Sequence, residues 1–158
     1  MSPSPAPQHN EERRRAVASR PITRRPRPRI HGTGLVLIVD DSSDARDIYS
    51  LYFRHRGYAA LTAPDGDTGI ATAIRMRPDV IVMDLAMPGI NGISAAHHLK
   101  HEPRTRSIPI ILLTGHSGKA IQHGALEMGV DVFLTKPCLP EHLETHVERL
   151  IQQRRTTS

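Results

Sequence analysis

The chain has no tryptophan, only three tyrosines and two phenylalanines, and one cysteine in 158 residues. With aromatics at 3% and hydrophobic residues at 38%, any core must be built from aliphatic side chains. The single Cys138 excludes an internal disulfide framework and suits a reducing compartment. No apolar run approaches the roughly 20 residues that a membrane-spanning helix requires. The amino terminus has no apolar segment of the secretory type. These absences lead us to expect a soluble, cytoplasmic protein without a membrane span.

The formal net charge of +5 is unevenly distributed. Residues 1–33 carry eight arginines against Glu11 and Glu12, so the remaining 125 residues are close to neutral. The same segment holds six of the thirteen prolines and few large apolar residues. It cannot bury enough surface to offset its ordering entropy, and is expected to be a disordered Pro/Arg-rich basic arm. Its runs, Arg13-Arg14-Arg15 and Arg24-Arg25-Pro26-Arg27-Pro28-Arg29, suit contact with nucleic acid, anionic lipid or an acidic partner. A solvated extension without a partner is the plainer reading. The arm is followed by one domain over 34–155 and a short tail, 156–158.

From Gly34 the chain alternates regularly. Leu35-Val36-Leu37-Ile38-Val39 is a continuous apolar run ended by Asp40-Asp41, a buried strand. Ser42 or Ser43 caps a helix whose inward face is Ala45, Ile48, Tyr49, Tyr52 and Phe53, stopped by Gly57. A weaker strand spans Tyr58 to Ala63. Asp65-Gly66 forms a turn, and a helix marked by Ile70, Ala73 and Ile74 ends before Pro78. Val80 to Asp84 is the third strand. A helix from Gly92 to His101 turns Ile93, Ala96 and Leu99 inward. The fourth strand spans Ile108 to Thr114, the fourth helix Lys119 to Met128 with Gly129 closing it, and the fifth strand Val132 to Thr135. The last helix, Leu139 to about Gln153, follows Pro137 and buries Leu143, Val147, Leu150 and Ile151. Met83 and Met128 read as core residues and Cys138 as a semi-buried filler.

Five β-α units in alternation predict an α/β fold, a doubly wound parallel five-stranded sheet with helices on both faces. Such a sheet carries its site outside the carboxyl ends of the strands. Asp40 and Asp41 follow the first strand, Asp84 ends the third, Thr114 ends the fourth and Lys136 follows the fifth. Three carboxylates in one crevice repel one another unless a cation joins them. Their hard oxygens suit Mg²⁺ (or Mn²⁺), with Asp41, Asp84 and the backbone carbonyl of Ala86 as direct ligands and Asp40 acting through water. A carboxylate can also be the nucleophile of phosphoryl transfer. Asp84 is then the acceptor, while the Lys136 ammonium and the Thr114 hydroxyl contact the phosphoryl oxygens. Any one of these residues alone would be a cap, a surface lysine or a strand threonine; their joint placement carries the chemistry.

These stretches resemble the receiver domain of two-component response regulators. The likeness rests on Leu37-Ile38-Val39-Asp40-Asp41, Ala63-Pro64-Asp65-Gly66, Met83-Asp84-Leu85-Ala86-Met87-Pro88 with Gly92, Ile110-Ile111-Leu112-Leu113-Thr114-Gly115, and Gly129 through Pro137. The resemblance covers about Leu35 to Gln153. It implies strand order 2-1-3-4-5. It also implies Asp84 as phosphoacceptor, Asp40 and Asp41 as the acidic metal pair, Thr114 and Phe133 as switch residues, Lys136 as the phosphate-contacting lysine and a cis Lys136-Pro137 bond. The switch aromatic is often tyrosine, so Phe133 departs from the pattern and has no hydroxyl to offer a partner. Ala86 and His116 occupy positions that tune dephosphorylation; a small Ala86 leaves room for attacking water.

The implied activity is a single-domain regulator in a phosphorelay. It accepts a phosphoryl group from a histidine kinase or histidine phosphotransfer protein. It is no enzyme beyond catalysing its own phosphorylation and slow dephosphorylation. It would signal through protein contacts of the fourth helix, fifth strand and fifth helix, as a monomer or weak homodimer; the chain is too short after the last helix to hold an output domain. A haloacid-dehalogenase-type phosphatase would need its acids as Asp-x-Asp, whereas Asp40 and Asp41 are adjacent. The second alternative is a nucleic-acid-binding regulator acting through the arm. The pairs His97/His101 and His142/His146 lack an evident third ligand and read as solvated faces.

Overall fold

The computed structural model describes Pro3, residues 33–115 and residues 118–157. The basic arm, apart from Pro3 and Thr33, and His116 lie outside the described residues. The elements are β1 (Leu35–Val39), α1 (Ser43–His55), β2 (Ala59–Ala63), α2 (Gly66–Met76), β3 (Val80–Asp84), α3 (Gly92–His101), β4 (Ile110–Thr114), α4 (Lys119–Glu127), β5 (Val132–Thr135) and α5 (Pro140–Thr157).

The strands form one parallel sheet in the order β2-β1-β3-β4-β5. Alternate side chains leave opposite faces of a strand, so each continuous apolar run feeds two cores. Leu37, Val39, Ile81, Met83, Ile110 and Leu112 join Ile70, Ala95, Ala96 and Leu99 on one face. Val36, Ile38, Val80, Val82, Ile111 and Leu113 meet Tyr49, Phe53, Leu143, Val147 and Ile151 on the other. The central strands β3 and β4 are buried throughout, which is why their sequences hold no polar residue before Asp84 and Thr114.

Local chemistry sets the helix ends. The Ser42 hydroxyl accepts from the Ala45 N–H at 3.3 Å, and Asn91 caps α3 through Ser94. Asp65, expected in a simple turn, is instead the N-cap of α2, accepting from the Thr68 N–H at 2.7 Å. Gly57 and Gly129 take positive φ just past α1 and α4, where a β-carbon would be strained.

Several expectations shift. Ile48 is 58% exposed, because the buried stripe of α1 runs through Tyr49 and Phe53 and leaves Ile48 one position off it. Met128 is exposed, because α4 buries only Ala125 and Met128 is its C-cap. On α3, Ala95 is buried while Ile93 is only partly so. Ile108 is buried but precedes β4, which starts after Pro109. The last helix runs four residues beyond Gln153, to Thr157.

Leu143 is fully buried between α5 and the sheet, whereas Leu51 on α1 is exposed. Leu143→Ala is expected to cost about 2–5 kcal/mol in chemical denaturation, and Leu51→Ala less than about 0.5 kcal/mol. Equal losses at the two positions would contradict this packing.

Candidate functional site

The parallel sheet brings the carboxyl ends of β1, β3, β4 and β5 to one rim. Asp40 follows β1 and is held there by its backbone N–H donating to the Ala63 carbonyl at 3.1 Å. Its side chain is buried and doubly engaged. Oδ1 accepts from the Ser42 N–H at 2.9 Å, and Oδ2 lies 3.3 Å from the Lys136 Nζ. Arg46 donates to the Asp40 carbonyl at 2.7 Å and braces the turn from α1. Asp41, next along, is exposed.

Asp84 is 6% exposed at the end of β3. The loop after it is tied down at both ends. Leu85 N–H donates to the Leu113 carbonyl and Gly92 N–H to the Leu85 carbonyl, each at 2.8 Å. Gly92 is required by this closure, since a β-carbon would lie 2.5 Å from the Asp84 carbonyl oxygen and 2.9 Å from Leu85 Cα.

Lys136 reaches over the rim from β5, its Nζ 3.3 Å from Asp40 Oδ2 and 3.3 Å from Asp84 Oδ1. Its backbone N–H donates to the Thr114 carbonyl at 2.7 Å, so one residue joins β4, β5 and both acids. Thr114 is fully buried at the end of β4, and Ala86 is exposed beyond Asp84. Phe133 is partly buried in β5, packed against the core on the α2–α3 face. The Lys136-Pro137 peptide is cis.

Electrostatics follow from this crowding. Burial raises the Asp84 carboxyl above the usual carboxylate range; Lys136 pulls it down, and Asp40 pushes it further up. Burial disfavours the Lys136 ammonium, but Asp40 and Asp84 together outweigh that, and its net shift is upward. Asp40, Asp41 and Asp84 each offer a carboxylate oxygen within 4.8 Å of the others. Three hard oxygen donors against one lysine leave an excess of negative charge that a divalent cation satisfies, so the residues fit such an ion. The structure thus brings together every acid expected from the sequence, with Lys136 and Thr114 at the same rim.

Sequence reasoning missed the surroundings. Tyr49 donates to the Cys138 carbonyl at 2.7 Å, pinning the loop after Lys136 to α1. Beside it lies a mainly apolar groove of about 550 Å³ lined by Ala45, Ile48, Tyr49, Pro137, Cys138 and Pro140, with Lys136 at the same groove. Burial raises the Cys138 thiol, which makes it less reactive. No sequence signal marked the groove, because helical spacing placed Ile48 on the inward face. His97 and His101 form a local contact through the His97 carbonyl, and His142 and His146 touch ring to ring; neither pair reaches the acids' cluster.

Comparison with known proteins identifies the family of the fold. A response regulator receiver domain is matched over residues 36–148. The response regulator PleD of Caulobacter vibrioides is 38% identical over 102 residues, covering 65% of this chain and 22% of its own. The phosphate regulon regulatory protein PhoB of Pseudomonas aeruginosa is 32% identical over 118 residues, covering 75% and 52%. The chain therefore spans about half or less of these curated relatives. Chemotaxis protein CheY4 of Vibrio cholerae superposes with a TM-score of 0.71 at 30% identity, over 75% of this chain and 99% of that one. The signal receiver domain of a histidine kinase from Syntrophus aciditrophicus gives 0.70 at 35% identity, over 76% and 91%. The chain belongs to the response regulator receiver domain family of two-component phosphorelay signalling. Among the described residues, no helix is long and apolar enough to cross a membrane.

Because the folded state raises the Asp84 carboxyl, this group lowers stability once the pH exceeds its unfolded value. In metal-free buffer at neutral pH, Asp84→Asn is expected to raise the thermal midpoint by about 2–5 °C. Mg²⁺ at tenfold over its dissociation constant should stabilise the wild type by about 1.4 kcal/mol and the variant much less. A variant that melts below wild type, or responds equally to Mg²⁺, would contradict the crowding described for this rim.

Proposed function

We propose that the chain accepts a phosphoryl group on Asp84 from a histidine kinase or histidine phosphotransfer protein, in a Mg²⁺-dependent reaction, and passes the signal on through protein contacts. The observation that carries this reading is the placement of Lys136, 3.3 Å from both Asp40 and Asp84 at a rim shared by four strands. An Asp84 carboxylate oxygen attacks phosphorus, a P–O bond forms, and the donor's P–N bond breaks as the imidazole leaves. Asp41, Asp84 and the Ala86 carbonyl, with Asp40 behind them, would hold a divalent ion, which would supply positive charge against the transferring group. Lys136 exchanges its contact with Asp84 for a phosphoryl oxygen, and the Thr114 hydroxyl donates to another. As Thr114 moves toward the phosphoryl group, Phe133 turns inward, which shifts a two-state equilibrium on the β4–β5 side.

The phosphodonor approaches along the groove between α1 and the Lys136–Pro140 loop, where exposed Ile48 supplies an apolar contact. The output face is α4, β5 and α5, where α4 leaves Ile121 and Leu126 exposed. The small Ala86 leaves water able to reach the acyl phosphate, so the chain dephosphorylates itself slowly and has no other catalytic activity. A cytoplasmic location, and a monomer or weak homodimer, complete the reading.

Incubation of the full chain with a small-molecule phosphodonor and Mg²⁺, followed by intact mass, tests the assignment. One phosphoryl group should be gained by the wild type and by neither Asp84→Asn nor an EDTA-treated sample. Lys136→Ala should slow the gain by about 100-fold, the typical cost of removing one preorganised donor. Phosphorylation that survives Asp84→Asn would assign the acceptor elsewhere.

A further inference from the structure

Lys136 carries the positive charge at the centre of the rim, yet the loop that bears it has little of its own to hold it in place. Pro137 and Pro140 have no N–H to donate. Pro137 and Leu139 are exposed, so the outer side of the loop gains no burial. The backbone of the loop is tied to the rest of the domain by hydrogen bonds. The Lys136 N–H donates to the Thr114 carbonyl of β4 at 2.7 Å, and the Cys138 carbonyl accepts from the Tyr49 hydroxyl of α1 at 2.7 Å.

Core packing does not explain the Tyr49 hydroxyl. Tyr49 is 8% exposed, and its ring shares the core between α1, α5 and the sheet with Phe53, one turn on, which is fully buried and has no hydroxyl. A phenyl ring at 49 would fill the same space. Burial pushes the Tyr49 hydroxyl up to about 12, so it donates throughout the neutral range. The same helix holds the other side of the site. Arg46 donates to the Asp40 carbonyl at 2.7 Å, and residues three apart lie on one helix face. Helix α1 therefore grips the turn carrying Asp40 at Arg46 and the loop carrying Lys136 at Tyr49. Between these grips the Lys136 Nζ stands 3.3 Å from both Asp40 and Asp84.

We propose that Tyr49 is a positioning residue for phosphoryl transfer to Asp84: through the Cys138 carbonyl, its hydroxyl holds Lys136 where the ammonium meets the transferring group. This rests on the function proposed above. Tyr49 forms no bond to Asp84, and its effect passes through Lys136. Without the hydroxyl, the Cys138 carbonyl is left to water and the loop also samples positions in which the ammonium stands farther from Asp84. A misplacement of about 1 Å can cost about 100-fold in rate. The loop spends only part of its time displaced, so the loss on removing one hydrogen bond is smaller than that.

Intact mass after timed incubation of the full chain with acetyl phosphate and Mg²⁺ gives the rate; an Asp84 oxygen bonds phosphorus as the P–O bond to the departing acetate breaks. Tyr49→Phe, which keeps the ring, should slow phosphorylation by about 2- to 10-fold, the factor that one hydrogen bond is worth. In a Lys136→Ala background the same substitution should slow it no further, because the residue it positions is gone. Val36→Ala, a cavity at the far end of β1, should lower the thermal midpoint and leave the rate below the melting range unchanged. Amide hydrogen exchange in metal-free buffer reads the loop without phosphorylation. In Tyr49→Phe the Lys136 amide should exchange about 2- to 10-fold faster relative to the Ile81 amide, which bonds the Pro109 carbonyl toward the other end of the sheet. A wild type that gains no phosphoryl group overturns the functional reading and the positioning role with it. With a phosphorylated wild type, the positioning role alone is overturned by a Tyr49→Phe rate equal to wild type, by losses that multiply with Lys136→Ala, or by unchanged exchange at Lys136.

Discussion

Everything at the functional rim depends on the parallel arrangement of the strands. Because all five run the same way, the residues just past β1, β3, β4 and β5 meet at one end of the sheet. Asp40, Asp84, Thr114 and Lys136 come from segments nearly a hundred residues apart, and only Lys136 needs a long side chain to reach the acids. The cost is electrostatic, since two buried acids and one exposed acid share a small volume. Lys136 meets part of that cost directly, with Asp40 on one side and Asp84 on the other. The remaining negative charge is what makes the rim suited to a divalent cation.

The same polarity arranges the helices. Their amino ends point to the acid rim and their carboxyl ends to the opposite pole. Acids in first turns, Asp44 on α1 and Asp67 on α2, and arginines in last turns suit the helix dipoles individually. Taken together they separate charge across the molecule, although the folded region is nearly neutral. A charge balance summed along the chain hides this separation.

A second coupling joins α1 to α5 beside the rim. Tyr49 holds the Cys138 carbonyl, and Glu144 accepts from Tyr52 and Arg56. Burial and the hydrogen bond to Glu144 push the Tyr52 hydroxyl up to about 12, so it stays a donor at neutral pH. Burial likewise raises Tyr49 to about 12. These contacts hold the loop carrying Lys136 against the helix that carries Arg46, the residue bracing Asp40. The turn carrying Asp40 and the loop carrying Lys136 are thus fixed relative to one another through α1.

Much of this was legible in the sequence. Apolar runs ending in Asp40, Asp84, Thr114 and the segment before Lys136 gave both strands and rim residues, because a buried strand tolerates polarity only at its exit. Helix limits were near to hand where caps and positive-φ glycines marked them, as at Ser42, Gly57 and Gly129. Strand order was not legible from pattern; it came from resemblance, since every parallel order of five such runs presents the same alternation. Tertiary structure alone decided that Ile48 faces outward into a groove, that Met128 stays exposed over a sparsely buried α4, and that Arg155 meets Thr33. Each depends on which neighbour a side chain meets across space, and periodicity along one element carries no information about that neighbour.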